Sequence, residues 1–240
     1  MPDLIDWNFI APLEGDLVLQ GYVPDAANSR SGVTIATGFD IGQRNPTDLD
    51  NLFGAGSTLS ALFAPYTGME GQAAETFLAS NPLVITQAQA LKVNKTVKSG
   101  IVSALHTKYD SAITQLNANA RSAAQKSGTT APALLSTFLM LPKEAQTVIA
   151  SVEFQYGDLK TATPNFWKQV TGQLWQEAYD NLRNFGDRYP TRRRKEAAYL
   201  LPIVTRGHQR LNLRSPLPTR RPPNFSQRYP QPTPNPRYLP

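Results

Sequence analysis

The chain has 240 residues with 40% apolar and 9% aromatic content, enough for one sizeable domain with a buried core. It has no cysteine, which excludes a disulfide framework, a thiolate metal site and a cysteine nucleophile. The net charge of +6 is concentrated at one end: from residue 206 onward there are seven Arg and no acidic residue, which leaves residues 1–205 at about neutrality.

The first fifteen residues hold Asp3, Asp6 and Glu14 but no Lys or Arg, so the charged start of a secretory signal is not expected. They read as a short helical lead-in. "DLVLQGYV" and "GVTIATGF" come next, rich in β-branched and apolar residues and separated by the turn composition "PDAANSRS", which predicts a small hairpin or sheet. From Thr86 the pattern becomes helical: Thr86 and Gln89 form a capping box, and Gly100 is expected to interrupt or bend the helix they start. A better-bounded helix runs between Pro142 and Gly157, with Ala145, Val148, Ile149, Val152 and Tyr156 at i, i+3, i+4, i+7 and i+11. "PNFWKQVTGQLWQEAYDNLRNFG" gives another helix, with Trp167, Val170, Leu174 and Ala178 on one stripe, and "TRRRKEAAYLL" a last one. Nine of the 20 prolines fall after residue 205, a composition that favours extended chain over a packed core. The expected class is α+β: a small N-terminal β-hairpin or sheet, then a mainly helical lobe over residues 1–205, with 206–240 as a Pro/Arg-rich tail.

Several chemistries lack their motifs. His106 and His208 are the two histidines and have no metal-ligand spacing with carboxylates. No G-x-S-x-G elbow occurs, and the glycines of "NLFGAGST" lack the lysine of a phosphate-binding loop. No metal or organic cofactor is expected, and carboxylate chemistry remains. Glu14 comes after Trp7, Ile10 and Ala11 at the spacing of one helical face. A carboxylic acid held against apolar groups resists ionisation and can serve as a general acid near neutral pH. The bland alternative is a solvated Glu before a helix-ending Gly15, and Pro12 argues for a short or bent helix there. In "SGVTIATGFDIGQ", a continuous strand would put Thr34, Ala36, Gly38 and Asp40 on one face. A hydroxyl and a carboxylate so placed suit glycosidic hydrolysis, which needs a proton donor, a second carboxylate and a group that places water. The alternative is an edge strand whose Asp40 precedes a turn.

At these residues the sequence resembles the pesticin-type muramidases, whose domain is similar to T4-type phage lysozymes. The resemblance rests on "LEG…GYVPDAANSRSGVTIATGFDIGQ", a Glu-Gly at a helix end and then a hairpin with a Thr-Ile-x-x-Gly segment. "LPKEAQTVIASVEFQYGDL" and "RRRKEAAYL" look like later helices of the same family, so the likeness spans roughly residues 5–205, loosely over 45–130. It implies a lysozyme-like fold and an N-acetylmuramidase in which Glu14 donates the proton, Asp40 is the second carboxylate and Thr34 helps place the water. Asp25 is the rival carboxylate, because phage lysozymes carry their Asp before the Thr, and Thr37 is the rival hydroxyl. Phe39 departs from relatives that carry His there.

The implied partners are peptidoglycan glycan strands, together with an immunity protein or a secretion or phage delivery machinery, and the protein is expected to be a monomer. The implied place of action is the periplasm or cell wall, reached from the cytoplasm without a signal peptide. A catalytically inactive wall-binding or phage-structural module is the alternative from another class. An Arg-rich nucleic-acid arm is weighed for the tail and set aside as the lesser reading.

Overall fold

The computed structural model describes residues 2–212, with side chains described through residue 206. Asp6 starts α1 (Trp7–Ile10) by accepting from the Asn8 and Phe9 N–H groups, so the lead-in helix forms where expected but is one turn long. Pro12 turns the chain into a tighter helical turn over Ala11–Leu13. The strands β1 (Val18–Tyr22), β2 (Thr34–Ala36) and β3 (Phe39–Asp40) form an antiparallel sheet in sequence order. The continuous strand expected over 34–40 is instead a hairpin: Ala36 and Gly38 take positive φ, and Asp40 folds back to lie opposite Thr34.

Three helices come next that sequence reading did not resolve: α2 (Pro46–Phe53), α3 (Thr58–Phe63) and α4 (Gly71–Ser80). The 41-residue α5 (Gln87–Ser127) begins at the Thr86–Gln89 capping box and passes through Gly100 without interruption. Gly100 is exposed with nothing near it, so its cost of about 1 kcal/mol relative to Ala is met by packing elsewhere along the helix. Beyond it lie α6 (Lys143–Tyr156), bounded by Pro142 and Gly157 as expected, and the short α7 (Leu159–Ala162). The stretch read as one helix from Pro164 is two, α8 (Pro164–Thr171) and α9 (Trp175–Arg183). Gln173 takes a left-handed φ of 53°, which turns Leu174 out to 41% exposure while Trp167, Val170 and Ala178 stay buried. Finally α10 spans Pro190–Asn212, past the boundary expected at residue 205; the rest of the expected tail lies outside the described residues.

Two hydrophobic cores share α5. Its first turns give Ala90 and Val93 to a core with Ile35, Ile41, Leu49 and Phe63, around the sheet and α2–α4. Its middle gives Val102, Leu105, Tyr109 and Ile113 to a second core with Ile10, Phe138, Ile149 and Phe166. Each fully buried side chain of this size contributes about 1.5–3 kcal/mol. The result is a small β-containing lobe and a larger helical lobe threaded by one helix, an α+β lysozyme-like fold. At the centre of the larger lobe, α6 is buried on every side from Ala145 to Glu153, and its polar residues there have internal partners. Gln146 accepts from the Leu4 N–H, Thr147 accepts from the Asp6 N–H, and Ser151 donates to Glu196.

Candidate active site

Glu14 ends the turn after α1, and Gly15 then takes φ of +92°, a conformation that glycine adopts at no steric cost. The chain thereby leaves the helical lobe toward β1. The face of Trp7 and Ile10 changes pitch in the tighter turn before Glu14, and the hydrogen-bonding partner of the Glu14 carboxylate is not on this apolar face. The carboxylate instead meets Arg192 of α10: Nη2 donates to Oε1 at 2.6 Å, with the Glu14 side chain 16% exposed. Oε2 of Glu14 accepts no hydrogen bond from the described residues.

Arg192 is held as tightly as the group it holds. Its Nη1 donates to Leu13 O at 2.9 Å and Nη2 to Ser151 O at 2.7 Å, while Nε donates to Glu196 Oε1 at 3.1 Å. The planar fork thus grips the backbone before Glu14, the carboxylate itself and the central helix together, a geometry lysine cannot reproduce.

Beside this pair a cleft of about 820 Å³ runs between α1 and α5. On α5 it is lined among others by Leu91, Asn94, Lys98, Val102 and His106, whose three- and four-residue spacings place them on one face. Trp7, Asn8, Ala11 and Gly15 line the other side, so the residues around Glu14 border the cleft although Glu14 itself is turned to Arg192. Lys98 sits with its ammonium 5.2 Å from the Trp7 ring centre. Burial pushes its pKa below the ordinary lysine value, and the negative charge of Glu14 opposes that shift. His106 packs on Phe138 with ring centres 4.5 Å apart. Among the described residues no group of three or more His, Cys, Asp or Glu is placed to hold a metal ion.

The sheet residues divide into two groups. Thr34 and Asp40 are cross-strand neighbours, brought together by the hairpin rather than by one strand. Both engage Gly32: the Thr34 hydroxyl donates to its carbonyl at 3.1 Å, and both Asp40 oxygens accept from its N–H at 3.1 Å. Asp40 also accepts from Gln43 N–H, so this carboxylate pins the turn after its strand. Thr34 is 3% exposed. Thr37, at the hairpin tip, lines the cleft instead, and Asn94 of α5 clamps it twice, accepting from its N–H at 3.2 Å and donating to its hydroxyl at 2.8 Å. Asp25 lies in an exposed turn with φ of 45° and accepts from Asn28, and no hydrogen bond or ion pair joins it to the other candidates.

Arg192, Ser151, Glu196, Lys98 and Asn94 were not singled out by sequence reasoning. The i, i+4 spacing of Arg192 and Glu196 in "RRRKEAAYL" was the local signal available. The pairing of Arg192 with Glu14 joins residues 178 positions apart, which no local pattern reveals.

A search of curated proteins finds no match to this chain. Residues 4–176 match the family model Pesticin, described as "Bacterial toxin homologue of phage lysozyme, C-term". That likeness supports, at the general level, a lysozyme-like glycoside hydrolase of the muramidase type or a toxin with peptidoglycan as its substrate. With the match covering well over half of its length and the bilobal α+β fold in agreement, the chain belongs to the pesticin family of phage-lysozyme homologues.

Proposed function

We propose that the protein is an N-acetylmuramidase that hydrolyses the bond between N-acetylmuramic acid and N-acetylglucosamine in peptidoglycan strands, with Glu14 as the proton donor. The observation that carries this reading is the state of the Glu14 carboxyl beside the interlobe cleft: Arg192 fixes one oxygen and the other is uncommitted among the described residues. A proton on Oε2 can pass to the departing glycosidic oxygen, while the fixed Oε1 keeps the carboxyl in one orientation. The motif order implies Asp40 as the second carboxylate and Thr34 as the hydroxyl that places water; the two are cross-strand neighbours, and neither is among the residues lining the cleft. A second reading gives the water-placing role to Thr37, because Thr37 lies on the cleft wall and Thr34 is almost fully covered. The protein acts in the periplasm or cell wall as an antibacterial lysin or effector, delivered by a phage or secretion route.

The test is digestion of purified peptidoglycan with product identification by mass and by reducing end. New reducing N-acetylmuramic acid supports the assignment, and reducing N-acetylglucosamine or no product overturns it in favour of another bond or a wall-binding module. Thr34→Ala and Thr37→Ala, assayed in parallel, separate the two hydroxyls: the one whose loss lowers kcat by about 10²-fold is the working group.

A further inference from the structure

Adjacent arginines at the start of α10 reach in different directions and meet again at one carboxylate. Glu196 is wholly buried, four residues after Arg192 and three after Arg193. Its Oε1 accepts from the Ser151 hydroxyl at 2.6 Å and from Arg192 Nε at 3.1 Å, and its Oε2 accepts from Arg193 Nη1. Arg193 is itself immobilised: Asp187 accepts from its Nε at 2.7 Å, Gln155 accepts from Nη2, and its guanidinium lies 4.6 Å from the Phe185 ring centre. One end of this chain of contacts is therefore anchored in the helical core, and the other end is the carboxyl of Glu14. The residues that complete it, Arg192, Arg193 and Glu196, lie beyond the last residue of the family match.

We infer that Glu196 is a positioning residue for the reaction at Glu14, acting through Arg192. Arg192 has rotatable bonds along its whole stem, and its outer nitrogens are held by Leu13 O, Ser151 O and Glu14; the Nε side of the guanidinium, next to the stem, is the remaining point at which its orientation can be fixed. Glu196 holds Nε, and Ser151 ties the same carboxylate oxygen to α6 while its carbonyl accepts from Nη2. The fork then has one orientation, in which Oε1 of Glu14 is taken and Oε2 is presented. A buried carboxylate requires such a complete set of partners, and here it compensates two guanidiniums, those of Arg192 and of the buried Arg193. On one oxygen it anchors Arg193 in the core, and on the other it orients Arg192 toward Glu14.

This inference rests on the assignment of Glu14 as proton donor, and the experiment separates the two. Steady-state kinetics on soluble peptidoglycan fragments are measured for wild type, Glu14→Gln, Glu196→Gln, Glu196→Asp, Ser151→Ala and Tyr109→Phe, each below its melting transition. Tyr109→Phe is the stability control, since it removes a buried hydrogen bond to the Val170 carbonyl in the core, away from Arg192. The expected result is a fall in kcat of about tenfold or more for Glu196→Gln with KM within about twofold, partial recovery in Glu196→Asp, and kcat retained in Tyr109→Phe. A kcat for Glu196→Gln equal to wild type, or losses in Glu196→Gln and Tyr109→Phe that track thermal stability alone, would overturn the positioning role. If Glu196→Gln does not fold, Ser151→Ala decides: lowered kcat at control-level stability supports the relay, and unchanged kcat removes it. Activity that is absent in wild type, or unaffected by Glu14→Gln, overturns the assignment of Glu14 and the inference with it.

Discussion

Replacing Arg192 by methionine removes a guanidinium that is 11% exposed and leaves two carboxylates behind, of which Glu196 is fully buried. Glu14 is partly exposed and can recruit water, so the larger share of the loss comes from Glu196, which keeps Ser151 and Arg193 but loses half of its charge compensation. Stripping a partner from a buried ion pair costs about 3–5 kcal/mol. For a domain of this size each kcal/mol lowers Tm by roughly 2–4 °C, so a fall on the order of 10 °C is expected in thermal unfolding. The same reasoning makes the effect non-additive. Arg192→Met combined with Glu196→Leu removes both members, leaves Arg193 with Asp187 and Gln155, and should recover about 1–3 kcal/mol relative to the sum of the single variants. Urea unfolding of the four proteins at pH 7 measures this coupling. Strict additivity, or a loss below about 1 kcal/mol in Arg192→Met, would refute the buried-pair account of this network.

Local geometry dictates three more outcomes. At Gly32 an added Cβ would lie 2.4 Å from both the Gly42 Cα and the Met69 carbonyl oxygen, so Gly32→Ala should lower stability by about 3 kcal/mol, and a urea midpoint near wild type would contradict that close approach. Asp6 caps α1 and pairs with Lys143 and then Tyr199, which together lower its pKa from 3.8 to about 2. Because the folded value is the lower one, this stabilisation is complete above the ordinary value and is lost as pH falls through about 2; Asp6→Asn should therefore flatten the decline of Tm over that window, and an identical decline would refute the linkage. Asn94→Ala frees the Thr37 hairpin tip from α5 and should cost about 1–2 kcal/mol, with faster amide exchange at Thr37; unchanged exchange would show the clamp to be idle.

How much of the fold and site was legible depends on how local the cause is. The boundaries of α6 are set by Pro142 and Gly157, and the start of α5 by Thr86 and Gln89, because capping is decided within a few residues. Gly100 misleads for the opposite reason: its propensity argues for a break, yet the two cores hold α5 on either side of it. The split between α8 and α9 depends on the left-handed Gln173, which propensity does not reveal. At the site, Glu14 and the hairpin were visible as motifs, while the partners that orient them, Arg192 and Asn94, come from helices brought in by tertiary packing. The face shared by Thr34 and Asp40 was expected from alternation along one strand, and it arises from cross-strand pairing instead.

The most direct test of the central claim compares muropeptide release from purified peptidoglycan by the intact protein and by Glu14→Gln, matched for folding by their thermal transitions. The account predicts release by wild type and a loss of about 10²–10⁴-fold in the variant, which keeps an acceptor for Arg192 but has no carboxyl proton to give. Equal release by both proteins, or none by wild type, would contradict it.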